Sequence, residues 1–326
     1  MQMHLIPFLH KSLKEKKLRA KSFLTAVVIL LLLCSCSVKK LAVNSMSKNM
    51  SGDATRVFME DNDPELVGDS FPIILKMMDM LASSAPDNSN IRSSAGSLYV
   101  MYANVYLQGK GAILPYDMWE EQAALYDRAK KHYRRGYEYI ADSLELKYKG
   151  FKNAMASGDY DKAFEKLKKS DAADLYWGGA AIMAGVSVDI LDPDFAADRD
   201  GAIRMLFKAL ELDPDFGNGM LDDILMQLYA SLPEGMGGSM EKALYHYNHG
   251  LELSGGNMIS LYVSYANTIC RKNQSQEGYD EFKAVLTEVS ERDVESIPDN
   301  RLANIISQRK AKFLLETIDD YFLFGF

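Results

Sequence analysis

Cysteine, tryptophan and proline are scarce in this chain of 326 residues, which holds 3 Cys, 2 Trp and 9 Pro. There is no Cys-x-x-Cys pair and no His-Glu-x-x-His, so the common zinc and dithiol redox frameworks are excluded. After residue 35 the only histidines are His132, His246 and His249. Gly235-Met236-Gly237-Gly238-Ser239 is rich in glycine but lacks the lysine and preceding strand of a phosphate-binding loop. No segment shows a sustained two-residue alternation of apolar and polar side chains, which excludes a substantial sheet. No run beyond the N-terminal region is apolar enough to span a bilayer. Charged residues at 25% and hydrophobic ones at 48% match a globular body.

The N-terminal segment is built differently. Lys11, Lys14, Lys16, Lys17, Arg19 and Lys21 stand against the single acid Glu15, and Phe23–Leu33 follows as an apolar stretch interrupted only by Thr25. A basic segment before so short an apolar run reads as a secretory signal, because about 20 residues are needed to cross a bilayer as a helix. Leu33-Cys34-Ser35-Cys36 ends it in the form of a bacterial lipobox. Cys36 is the better lipid acceptor, since leucines stand at both positions before Cys34 where small residues are preferred. Diacylglycerol on the sulfur and a palmitate-type acyl chain would give the multiple chains that stable anchoring requires. A plain signal peptide or an uncleaved anchor is the alternative reading. The expected organisation is a signal peptide over 1–35, a tether over 36–62 and a helical domain over 63–326. Removing residues 1–35 takes six bases and one acid from totals of 37 and 45, leaving 31 against 44, a formal charge of −13. So acidic a body is ill suited to nucleic acid. Cys270 is then the one cysteine besides Cys36, so no intrachain disulfide is available; its neighbours Tyr262, Tyr265, Ala266 and Ile269 predict a buried, inert thiol.

From Pro64 onward the apolar spacing is helical. Phe71, Ile74, Leu75, Met78 and Leu81 recur at three and four residues; Ala85-Pro86-Asp87-Asn88 breaks the run; Ile91–Leu107 resumes it as a hairpin partner. Met118–Tyr148 is a long helix, and Ala172–Ile190 and Leu221–Leu232 supply two more. Internal similarity follows: His132-Tyr133-Arg134-Arg135-Gly136 aligns with His246-Tyr247-Asn248-His249-Gly250, and Met205-Leu206-Phe207-Lys208-Ala209 shares the register. A weaker fourth copy places Ala284 at the small position. These intervals fit tetratricopeptide-like hairpins, in which a small residue lets neighbouring helices approach. The predicted fold is all-α, a solenoid of antiparallel helix hairpins, with Asp299–Phe324 as a capping helix.

Chemistry-bearing patterns are thin. His246 and His249 lie one turn apart on a helix, but the repeat puts them at ordinary surface or groove positions. Asp192-Pro193-Asp194 through Asp198-Arg199-Asp200-Gly201 fails as a calcium loop, because Ala196 and Phe207 would fall on obligatory ligand positions; it reads as a solvated turn capping a helix that begins at Gly201. No catalytic set, metal site or cofactor site is legible. Tyr99, Tyr102, Tyr106, Tyr176, Trp177, Tyr262 and Tyr265 cluster on helices assigned to inner layers, where each serves packing and together they point to an amphipathic groove. Tyr176 and Trp177, with Tyr99, Tyr102 and Met236 behind them, are the expected lining of a ligand path.

The motifs Asp63-Pro64-Glu65-Leu66-Val67, Ser84-Ala85-Pro86-Asp87-Asn88, Leu175-Tyr176-Trp177-Gly178-Gly179-Ala180-Ala181, Lys208–Asp215, Met236-Gly237-Gly238-Ser239, Leu253-Ser254-Gly255-Gly256 and Arg301-Leu302-Ala303-Asn304 occur in one collinear series. As a set it resembles the T component of TRAP transporters over about residues 60–324. The resemblance implies a non-enzymatic periplasmic lipoprotein, a homotrimer with a pore or cleft in each protomer. It also implies association with the periplasmic solute-binding component of a TRAP transporter and an apolar or organic-acid ligand. Ser37 after Cys36 is compatible with the outer membrane. The alternative is a tetratricopeptide-like scaffold for envelope assembly with no small ligand.

Overall fold

The structure is a computed structural model and describes residues 53–323. The signal segment, Cys36 and most of the expected tether lie outside the described residues. The described body is helical, with no strand among those residues.

A short helix α1 (Asp53–Met59) precedes α2 (Pro64–Ser84), which starts where Asp63 accepts the Leu66 N–H at 3.0 Å and Pro64 occupies the first turn. Val67, Phe71, Leu75 and Met78 form its buried face. Asn88 caps α3 (Ser89–Tyr102) by accepting from Ile91 N–H at 3.1 Å, so the expected hairpin is present. Beyond Tyr102 the helix widens into a π-helical segment, Ala103–Gln108, and returns to α-helical geometry over Gly109–Gly111 before it ends. Helix α4 (Trp119–Lys147) crosses α3 where two glycines meet. A Cβ on Gly96 would lie 2.8 Å from the Gly136 carbonyl oxygen, so neither position tolerates a side chain without the helices separating.

Two short helices, α5 (Phe151–Ala156) and α6 (Tyr160–Phe164), lead to α7 (Ala172–Val188). Apolar and small residues cover α7 nearly all round, the composition of a helix enclosed on several sides. It packs between α4 and α8 (Pro193–Leu212) and contributes to both of the larger cores, through Ala181 and Ile182 to one and through Leu175, Tyr176 and Ala180 to the other. Helix α8 begins at Pro193 and not at Gly201. Asp192 is its cap, accepting from Asp194 N–H at 3.1 Å, and the acids that read as a loop occupy its first turns. Gly201 is buried within the helix.

Helices α9 (Met220–Ser231) and α10 (Met240–Ser254) pair next, and α10 stops at Gly255, whose φ of 56° lies in the left-handed region that glycine enters freely. Then α11 (Ile259–Thr268), α12 (Gln276–Glu291) and α13 (Arg301–Glu316) pack as a trio around Val263, Phe282, Leu286 and Leu314. Gly136, Ala209 and Gly250 are buried where the repeat placed its small residues. Ala284 is exposed, because Phe282 and Leu286 carry that helix's inward face, so the fourth copy does not make the close approach. The terminal helix is shorter than Asp299–Phe324, and it does more than end a row. It also packs against α1 and α2, where Leu302 is buried in the same core as Phe71, and Arg309 pairs with Glu65 across the junction.

Candidate functional site

Three helices distant in sequence converge on one part of the interior. Helix α7 supplies Tyr176 and Trp177, whose rings meet edge to face at 5.0 Å, with Phe216 5.2 Å from Tyr176 on its other side. Tyr176 is buried at 8% exposure and Trp177 is half-buried. Its burial, and then the nearby Asp223 carboxylate, raise the Tyr176 hydroxyl pKa. Asp223 comes from α9. It accepts from Gln227 Nε2 at 2.9 Å, and the same amide nitrogen lies 3.5 Å from Ser264 Oγ on α11. Burial pushes the Asp223 carboxyl up to about 6, although the bonds from Ser264 and Gln227 and the charge of Lys310 pull the other way.

Lys310 reaches this region from α13. Burial lowers its pKa, and Asp223 is the charge that opposes the shift. It makes no hydrogen bond and no salt bridge among the described residues. Asp223 and Lys310 are surrounded by protein, yet both keep accessible surface, as do Gln227 and Trp177. The arrangement is one cation, one carboxylate with a raised pKa, an amide, and aromatic and aliphatic walls.

The other expected lining residues sit elsewhere. Tyr99 is buried at 1% exposure on α3, and its hydroxyl donates to Asp79 at 2.9 Å while accepting from Arg135 at 3.2 Å. Tyr102 stacks on Phe71 at 5.9 Å in the core between α2 and α3. Met236 is exposed in the loop between α9 and α10. Tyr176 and Trp177 are thus brought together, and the remaining three are not joined to them. Sequence reasoning passed over Asp223, Gln227 and Lys310. The available signal was a charge inside an apolar stripe: Lys310 stands four residues after Ile306 and three before Phe313.

A concavity of about 430 Å³ opens between α2, α3 and α4 and is lined by Lys76, Asp79, Arg92, Arg135, Glu138 and Asp142 among others. Its charges are largely committed: Lys76 to Asp79 at 2.7 Å and Arg92 to Asp142 at 2.9 Å, with Arg135 on the Tyr99 hydroxyl. Burial disfavours the Asp79 anion, but donation from Lys76, Tyr139 and Tyr99 holds its carboxyl below the usual range. This cleft ties helices together and leaves little charge for a guest. His246 is not at a surface position, being 4% exposed; its Nδ1 lies 2.7 Å from the fully buried Asp222, and His249 Nδ1 lies 3.1 Å from the same carboxylate. No group of His, Cys, Asp and Glu with metal-holding geometry occurs among the described residues. Cys270 is 1% exposed and burial pushes its thiol up to about 12, which removes it as a nucleophile.

A family model described as TRAP transporter T-component matches residues 60–322, which takes in every helix from α2 to α13. The chain belongs to that family. An uncharacterized protein of Treponema pallidum (strain Nichols) is 33% identical over 309 residues, covering 90% of this chain and 95% of the relative. Membership ties this T component to a TRAP transport system of the cell envelope as an accessory. No helix among the described residues is long and apolar enough to cross a membrane.

Proposed function

We propose that this T component is an envelope lipoprotein, anchored through Cys36 at the outer membrane and facing the periplasm. It docks the solute-binding component of its TRAP system and holds or passes an apolar or organic-acid guest in the space between α7, α9 and α13. The reading is carried by one observation: Tyr176, Asp223 and Lys310, from helices far apart in sequence, share an interior region that still meets solvent. No bond chemistry is required of such a protein; geometry and partial desolvation select the guest. A homotrimer would present three such spaces together, in keeping with the family resemblance. Isothermal titration of the protein with the solute-binding component of its own TRAP system tests the docking step. Saturable heat with about one solute-binding protein per chain supports the reading, and absence of binding at tens of micromolar refutes it.

A further inference from the structure

We propose that the outer face of α2 lies against the lipid surface to which the body is anchored, with Leu66, Ile73, Met77 and Met80 seated at the headgroup boundary of a zwitterionic bilayer. The inference rests on the reading above that Cys36 carries the anchor. It adds which face the anchored body turns to the membrane.

Helix α2 is apolar on two sides. Val67, Phe71, Leu75 and Met78 are buried on its inner face, while Leu66, Ile73, Met77 and Met80 are between 40% and 67% exposed. Steps of seven, four and three residues put those four side chains in one row along a helix, with Ser70 between the first two. From Leu66 to Met80 the row runs about 21 Å, at 1.5 Å per residue. Asp69 and Lys76 follow one edge of it, and the half-buried Ile74 and Leu81 follow the other. The helix packs on α3 and, through Glu65 near its start, on α13, which leaves the row to solvent. A contiguous exposed apolar strip of this kind marks a contact surface.

Two observations select a bilayer as what covers it. The chain that leads to Cys36 enters the body through α1, directly ahead of α2, and Phe58 of α1 packs 6.4 Å from Phe71 on the inner face of that helix. Cys36 and Asp53 are 17 residues apart in number, a length that spans about 23 Å as a coil. Helix α2 is therefore the long helix held nearest the lipid. The second observation is size and charge. The row offers a few hundred Å² of apolar surface, whereas a stable protein interface takes about 800 Å² from each partner. A helix at a lipid surface needs only to sink its apolar side about 5–10 Å. Lys76 is the one base of α2 against Glu65, Asp69 and Asp79, and Asp79 holds it at 2.7 Å, so nothing along the row recruits an anionic headgroup.

The test places a nitrobenzoxadiazole label at Met77→Cys in the acylated protein, reconstituted in phosphatidylcholine vesicles. Tyr245→Cys, exposed on α10 where that helix packs on α9 and α11, is the comparison, and the buried Cys270 stays unlabelled. Phosphatidylcholine spin-labelled high on its acyl chain should quench the label at 77 and leave the label at 245 bright. Ile73→Asp combined with Met80→Asp changes two exposed positions; it should abolish quenching at 77 while the protein stays on the vesicles through its anchor. Adding phosphatidylglycerol should not strengthen the quenching. A vesicle-bound protein whose label at 77 is not quenched, or is quenched only with phosphatidylglycerol present, overturns the proposal and leaves the anchor standing. A label at 77 already shielded from aqueous iodide before lipid is added means that a second copy covers the row, and this also overturns it. Protein that fails to sediment with the vesicles refutes the anchor itself, and the proposal falls with it.

Discussion

Asp223→Asn converts the interior carboxylate into a neutral group of the same shape, and its effect on stability should depend on pH in a stated direction. The Asp223 carboxyl titrates at about 6 in the folded protein, against about 3.9 for an unperturbed aspartate. A carboxyl raised by folding binds its proton more tightly in the native state. Its favourable contribution is therefore complete below about pH 4 and is lost as pH rises through about 6. A shift of about two units corresponds to about 3 kcal/mol, and this net figure already contains the attraction to Lys310. Asn keeps an acceptor for Gln227. At pH 4 the variant and the parent should unfold alike; at pH 8 the variant should be more stable by about 2–3 kcal/mol. In a body of this size that is a rise in thermal midpoint of about 4–10 °C. Urea unfolding followed by far-ultraviolet circular dichroism at pH 4, 6 and 8 measures it. A difference that is constant across pH, or a variant less stable at pH 8, would show that Asp223 is not ionised at a cost and would refute the argument.

Gly185→Ala should destabilise by about 1–3 kcal/mol in a thermal melt, because the new Cβ would fall 2.2 Å from the Phe195 ring, which Arg134 covers from 4.7 Å on α4. The junction of α13 with α2 should depend on apolar burial far more than on its ion pair. Leu302→Ala should cost about 2–4 kcal/mol and Arg309→Ala less than about 1, since Leu302 is 6% exposed while the Arg309–Glu65 pair is open to solvent. Paired urea titrations check this, and equal losses would contradict it. Cys36→Ala should release the protein from the membrane fraction and Cys34→Ala should not; sedimentation of cell envelopes with immunodetection reads the outcome.

The fold was legible where local rules act alone. Asp63-Pro64 and Asn88 announce helix starts, Gly255 announces a stop, and the spacing of Phe71, Leu75 and Met78 states which face is buried. Asp192-Pro193 carries the same start signal, but the four acids from Asp192 to Asp200 suit a solvated loop equally well; exposed turns of a helix hold such acids at little cost, and near its start they favour the dipole. The repeat found Gly136, Ala209 and Gly250 and misplaced Ala284, because a small residue marks a close approach only when its neighbours do not already fill that face. The site was half legible. Tyr176 and Trp177 stood out as aromatics in a glycine-rich helix. Their polar company did not, since Asp223 and Lys310 are 87 residues apart in number and no periodicity encodes the influence of one on the other.

The central claim is that solvent and guests reach the interior between α7, α9 and α13. It is tested most directly by thiol accessibility at position 310, using Lys310→Cys in a chain whose Cys34 and Cys36 are alanine. Cys270, buried and with its thiol pushed up to about 12, serves as the internal control. The account predicts that a small cationic methanethiosulfonate modifies position 310 in the native protein at least about a hundredfold faster than Cys270, with one adduct by mass spectrometry. Modification of both thiols only on unfolding would mean a closed interior and would contradict it.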